Sequence, residues 1–413
     1  MISKRRWRFS RLSRQISVRI SFMAALAVLA AFAAWALEDF IPDPLSERFK
    51  WTAVGPVLTI LASSMLAVVT FSLSVMVSAF RAASAQVTPR AHRLLLEDTT
   101  SQTVLATFLG AFIFALVSLI LSRVGIYSSG AAVIVFGVTV IVLVLVIVSI
   151  LRWIHHLSHF GSMDNTLAKL EKRVAKELQR HRKMPGLGGA ALSDDVKAPK
   201  GVVPVRAEVS GFVQHVDIPE LADCADGLNV TVYMNCVSGD WVAQDDILAH
   251  VDHAAVPTLS RVRDAFTIEP MRDFDQDPRF GLTVLAEIAS RALSPGINDS
   301  GTALDAIGRL ERLLIDNAPD RIANDAPAFE NVFIRGPSEA ALIEAAFAII
   351  ARDGANRIEV AEAVQKSLLR IAQTRDPNLA NAARDMAARA FAYGETALRD
   401  EGDLNRLRLL KRC

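Results

Sequence analysis

Three groups of residues have types and spacings that could do chemistry. The first is a polar stripe on an otherwise apolar run. At 100° per helical residue, Ser63, Ala67, Thr70, Ser74, Ser78 and Arg81 fall within about 80° of one another. Small and hydroxylated side chains let helices approach closely and hydrogen-bond across the contact. The same atoms can instead line a path for water or a small solute. Thr107, Ala111, Ala115 and Ser118 repeat the pattern on the next apolar run. The second group is Arg272, Gln276, Asp277, Ser294, Asn298 and Asp299, around the run Arg291-Ala-Leu-Ser-Pro-Gly-Ile-Asn-Asp299. One reading is a junction between two helices, with Gly296 at the end of one and Asn298 or Asp299 capping the next. The other is a binding site, since a helix N-terminus can hold an anion. The third group is His155-His156-x-x-His159, whose outer pair is one helical turn apart. That spacing can hold a divalent metal. There is no Glu in the H-E-x-x-H position, histidine is also at home at a membrane interface, and no metal is assigned.

Other chemistry lacks a carrier. No G-x-S-x-G, Walker loop, dinucleotide fingerprint or zinc signature occurs, so no catalytic residue and no cofactor is named and the chain is not expected to be an enzyme. Cys224, Cys236 and Cys413 form no C-x-x-C pair and fit a reducing compartment. The formal net charge of +1 over 413 residues gives no reason to expect nucleic acid.

The stripe sits in the second of four apolar runs, 20–37, 53–80, 104–121 and 131–151, each close to or above the roughly 20 residues that cross a bilayer. The last three contain no Asp, Glu, Lys, Arg or His. Proton-coupled transport needs an ionisable group at that depth, so the pattern leaves a passive pore, a sensor or an anchor. The first run follows Lys4, Arg5, Arg6, Arg8, Arg11, Arg14 and Arg19, with no acid among residues 1–19. It could be a signal peptide, but its length favours an uncleaved helix. Basic residues concentrate in this tail, in the loop 81–103 (Arg81, Arg90, Arg93) and after the fourth run, where residues 152–183 hold eight Lys or Arg against three acids. The positive-inside rule then puts both termini in the cytosol. Trp35, Trp51 and Trp153 lie at the boundaries, as an aromatic belt requires.

The remainder reads as cytosolic. Residues 155–200 are a juxtamembrane helix, with Leu167, Leu170, Val174 and Leu178 at helical spacing, and a Gly/Pro-rich linker. The helix could lie against anionic lipid or pack on its neighbours. Residues 201–262 show short β-rich runs punctuated by Gly211, Gly227 and Gly239, suggesting a small barrel-sandwich-like β domain. Residues 263–413 are helical, with one isolated strand at Asn331–Ile334. The expected fold is thus a basic tail (1–19), an α-helical integral membrane domain of four transmembrane helices (20–154), and a cytosolic α+β region.

Some of these runs are familiar together. Phe71-Ser-Leu-Ser74, Ser84-x-Gln86-x-x-Pro89-Arg90, Gln102-x-Val-Leu-x-x-Phe108-x-Gly110-x-Phe112, Gln276-Asp277-Pro278-x-Phe280-Gly281 and Arg291 to Asp299 resemble, in order and separation over roughly residues 15–395, the bacterial predicted membrane proteins grouped as domain of unknown function 2254. Ser300 departs from the proline expected there. The resemblance implies a bacterial inner-membrane protein with a cytosolic domain and no established activity. From the residues themselves two functions are expected. One is a passive, channel-like homo-oligomer with a cytosolic regulatory domain, in contact with the bilayer and with anionic lipid at its basic segments. The alternative is a membrane-anchored sensor or scaffold that binds a ligand or protein through the Gln276–Asp299 region.

Overall fold

Apolar runs without ionisable groups form helices that satisfy their own backbone, and the computed structural model has four of them. It describes the chain outside residues 1–2, 14–15, 43–50, 87, 92–97, 158–161, 193–198, 200, 254–255, 319–326 and 412–413. After a short helix α1 (Lys4–Ser13) come α2 (Ile16–Ala36), α3 (Trp51–Gln86), α4 (Thr99–Arg123) and α5 (Ser129–Leu157), the four described helices long and apolar enough to cross a membrane. Their contacts separate the chain into two units, residues 8–165 and residues 1–7 with 166–413.

In the first unit α4 is the central helix, packed on α2, α3 and α5. Asp98 caps it by accepting from the Ser101 N–H. Phe108 and Phe114 are fully buried there. Gly110 lets α2 come close, since a Cβ at that position would lie 3.4 Å from the Met23 carbonyl oxygen. At one end Trp51 stacks on Tyr127 at 5.3 Å, and the Tyr127 hydroxyl donates to the Ala31 carbonyl at 2.7 Å. The outward faces are apolar, with Phe22, Phe32, Ile60, Phe71, Ile141 and Leu151 exposed. Such a surface suits hydrocarbon rather than water.

The second unit mixes sheets and helices. After α6 (Met163–Lys183) come β1 (Gly189–Ala191), β2 (Val203–Arg206), β3 (Gly211–Val216), α7 (Ile218–Leu228), β4 (Val232–Met234), β5 (Trp241–Val242), β6 (Ile247–Val251), α8 (Val256–Asp264) and β7 (Phe266–Glu269). Then follow α9 (Pro278–Ala292), α10 (Ser300–Asp316), β8 (Phe329–Ile334), α11 (Glu339–Asp353), α12 (Ile358–Ile371), α13 (Pro377–Ala397) and α14 (Glu401–Leu410). One sheet has the order β1-β8-β4-β6-β2, with β8 parallel to both its neighbours; the other, β5-β3-β7, is antiparallel. Val213, Val216, Ile218, Leu221, Val232, Leu248, Val251 and Val332 share one core.

Three expectations change. The region 201–262 is not a β sandwich of its own, because Asp217 caps a helix, α7, inside it and the larger sheet recruits β1 and β8 from outside it. The strand at 331–334 is not isolated; β8 lies within that sheet. Part of the 181–200 linker is ordered as a 3-10 turn (Pro185–Gly188) and β1. The α6 stripe holds as read: Leu167, Leu170, Val174 and Leu178 are all buried, roughly 1.5–3 kcal/mol each. Val174 meets Gly281 of α9 so closely that a Cβ there would lie 2.3 Å from its Cγ2.

Candidate functional site

The polar stripe runs along the exposed side of α3. Ser63, Thr70, Ser74, Ser78 and Arg81 are all exposed, while Val54, Leu58, Leu61, Met65 and Met76 turn inward. Three of the hydroxyls are satisfied within the helix: Ser63 Oγ donates to the Thr59 carbonyl, Thr70 Oγ1 to Leu66 and Ser74 Oγ to Thr70, each at 2.9 Å. Back-bonding of this kind removes the free O–H and leaves oxygen lone pairs facing outward. The matching stripe on α4 does something else. Ala111, Ala115 and Ser118 are buried, so it is a packing face.

The hairpin residues are dispersed. Gln86 ends α3, and its side chain lies outside the described residues. Pro89 and Arg90 are exposed, and Gln102 is buried on α4. Of the histidines, His155 is exposed, His156 pairs with Asp98 at 2.8 Å, and His159 lies outside the described residues.

The six polar residues of the second unit do not form one site. Arg272, Gln276 and Asp277 sit at the start of α9; Ser294, Asn298 and Asp299 sit at its end. Fifteen residues of helix separate them, about 22 Å at 1.5 Å per residue. At the start, Arg272 donates from Nε and Nη2 to Asp277 Oδ2 at 2.9 and 2.6 Å. Arg279 stands 3.7 Å from the other oxygen and donates to Asp240 Oδ1 at 2.8 Å. Asp277 Oδ1 also accepts the Phe280 N–H, capping α9. Burial pushes the Asp277 carboxyl up, against the pull of the two guanidiniums. Gln276, at φ 60°, turns its amide onto β3, where Oε1 accepts the Val216 N–H and Nε2 donates to the Val216 carbonyl. A side-chain amide thus stands in for a strand neighbour. Gly239, at φ 92°, lies against the Asp277 carboxylate, and a Cβ there would be 2.0 Å from Oδ2. The Gln276 N–H reaches the buried Glu177 of α6, whose carboxyl is raised by burial. The cluster ties α6, β3 and α9 together, with Asp277 fully enclosed.

At the far end of α9 the junction reading fits. Asn298 adopts φ 52°, and the Asp299 N–H donates to the Ala292 carbonyl at 2.8 Å. Asp299 accepts from the Thr302 hydroxyl and N–H, which hold its carboxyl below the usual range. Ser294 Oγ donates to the Arg291 carbonyl. Ser300, in place of the expected proline, contributes its hydroxyl to Glu359 at 2.9 Å, and Arg357 donates to it at 3.1 Å.

Two features were not anticipated. Trp7 is buried in the second unit, stacked on His215 with centroids 4.8 Å apart, and its indole N–H donates to Asp275 at 2.9 Å. Asp275 also pairs with Arg173, and the Lys4 backbone N–H reaches Asp217. A lone tryptophan in the basic segment KRRWR was the available signal. The second is a cavity of about 550 Å³ beside the Pro185–Gly189 turn, edged by Lys183, Arg335, Glu339 and Asp376.

The family described as "Predicted membrane protein (DUF2254)" matches residues 13–370. Uncharacterised proteins of Mycobacterium bovis and of Mycobacterium tuberculosis are each 27% identical over 366 residues, 84% of this chain and 69% of the relative. No solved structure matches. With four apolar helices of membrane-crossing length followed by a mixed α/β region, and a match over most of its length, the chain belongs to the DUF2254 family of predicted membrane proteins.

Proposed function

We propose that copies of this chain assemble in the bacterial inner membrane through the exposed face of α3 and enclose a passive path for water or a small solute. The carrying observation is that the whole stripe, Ser63 to Arg81, faces outward with the hydroxyls of Ser63, Thr70 and Ser74 satisfied inside the helix. Small back-bonded side chains permit close approach of a neighbouring helix. Their outward lone pairs suit water, and no ionisable group within residues 53–80 provides for proton coupling. In this reading both termini lie in the cytosol, as the basic segments favour, and the second unit regulates the path. No chemical step is assigned. Ion and water flux from proteoliposomes is the test: the wild type conducts, and Ser74→Leu on the exposed face reduces conduction several-fold. Absence of flux in both, with the protein correctly inserted, removes the reading.

A second reading, a membrane-anchored sensor, is favoured by the cavity beside Pro185–Gly189 rather than by the α9 residues, which are spent on internal contacts. A small-molecule panel that shifts the unfolding of the wild type but not of Lys183→Gln supports it; a flat panel counts against it.

A further inference from the structure

We propose that the basic end of the helix bundle holds a phosphate-bearing anion, supplied in the bilayer as a phospholipid headgroup. A cavity of about 540 Å³ opens there, lined by Arg19, Thr99, Thr103, Ser149, Arg152 and His155, a volume typical of small-ligand sites. These residues come from three helices: the first turn of α2, the first turns of α4 and the last turns of α5. With Thr100 and His156, two guanidiniums, two imidazoles and four hydroxyls line it, and none of the lining residues is a carboxylate. The nearby acid, Asp98, is engaged in capping α4 and pairing with His156. The N-terminus of α4 adds partial positive charge at the same place.

Arg19 is pre-positioned. Its Nη1 donates to Thr103 Oγ1 at 2.8 Å and to the Thr99 carbonyl at 3.2 Å. A guanidinium carries five donors in a planar fork, and a phosphate accepts from such a fork bidentately. Arg152 is exposed on the last turns of α5, within the same lining, and its long side chain can swing onto the same anion. A metal cation would be repelled by this lining. The level along the helices matters too. Arg19 is the fourth residue of one apolar helix, and Arg152 lies five residues before the end of another. That is headgroup depth for a bundle that spans the membrane, and basic pockets between spans at this level bind anionic headgroups.

The test uses the purified full chain in a neutral detergent, reading the thermal unfolding midpoint against phosphatidylglycerol, phosphatidylcholine and inorganic phosphate. Phosphatidylglycerol raises the midpoint saturably and phosphatidylcholine does not. Arg152→Gln weakens the effect roughly tenfold, Arg19→Gln with Arg152→Gln abolishes it, and Lys176→Gln, on the exposed side of α6, leaves it unchanged. Because Arg19 also ties α2 to α4, Arg152→Gln alone carries the test if the double variant fails to fold. A saturable shift with inorganic phosphate that the same variants remove supports the anion site and identifies a free anion as its source. No saturable shift with either ligand, or an equal shift in wild type and Arg152→Gln, overturns the proposal.

Discussion

Asp277 and Asp299 cap the two helices that flank one junction, and replacing each with alanine separates a structural clasp from a simple cap. Asp299 is exposed and accepts from the Thr302 N–H and hydroxyl. Its removal costs about 1 kcal/mol, the usual worth of an N-cap. Asp277 caps α9 in the same way but also lies between Arg272 and Arg279 with its side chain fully enclosed. Alanine there removes the cap and leaves two guanidiniums without their shared partner. Breaking a buried pair costs about 3–5 kcal/mol, and both arginines are partly open to solvent, which favours the low end. Asp277→Ala should therefore lose about 3 kcal/mol. The difference of about 2 kcal/mol is roughly a 30-fold change in the open population. Cys224 and Cys236 report it directly, because both are buried in the core beside β3. Burial pushes the Cys236 thiol up to about 12, so it stays inert until the unit opens. Pulsed thiol labelling of the full chain along a urea series, read by peptide mass, gives the opening free energy of this unit alone. Equal losses for the two variants, or a loss below about 1 kcal/mol for Asp277→Ala, would refute the assignment of Asp277 as the clasp.

Urea unfolding of the full chain, followed by tryptophan fluorescence, checks two further outcomes. Gly239→Ala forces a Cβ into a left-handed backbone and onto the Asp277 carboxylate, so it should cost about 2–4 kcal/mol; a neutral effect would mean the Gly239 turn does not seat Asp277. His181 is held at about 4 by burial and by the neighbouring Arg182. Its folded value is depressed, so the unfolded chain binds the proton more readily. The contribution of His181 is complete above about pH 6.5 and is lost as pH falls towards 4, by up to about 3 kcal/mol. His181→Gln should flatten that part of the profile, and an unchanged slope between about pH 6.5 and 4 would count against it.

The four long apolar helices were legible because runs of some twenty residues without charge, long enough to cross a bilayer, stand out from everything around them. The α9–α10 junction was legible because Asn298 and Asp299 each carry a local backbone preference; Gly296, read as the end of α9, stands beyond it, since the helix stops at Ala292 with Leu293 as its C-cap. What failed was non-local. The hydroxyl stripes on α3 and α4 look alike by angle, yet one is exposed and the other packed, and only the neighbouring helices decide which. Asp277 and Asp299 read as one polar cluster because they stand close along the chain, whereas the rigid length of α9 holds them apart. Gln276 offers no sign that its amide will pair with Val216, sixty residues earlier. A strand was read at 331–334, within the observed Phe329–Ile334, but its partners come from opposite directions in the chain, and no local pattern names them. Asp217-Ile-Pro-Glu220 did carry a helix start, a cap followed by an early proline, and was masked by the β-rich runs around it.

Trp7 bears on how many times the chain crosses the bilayer. It is bonded to Asp275, 268 residues later, and all four apolar helices lie between them. Residues that touch must lie on the same side of the membrane, and only an even number of crossings returns the chain to the side it left. Four crossings meet that condition; three or five would tear Trp7 from His215 and Asp275. Cleavage after α2 would remove the tryptophan altogether. The contact is thus a parity constraint on topology that owes nothing to hydropathy or to the distribution of arginines.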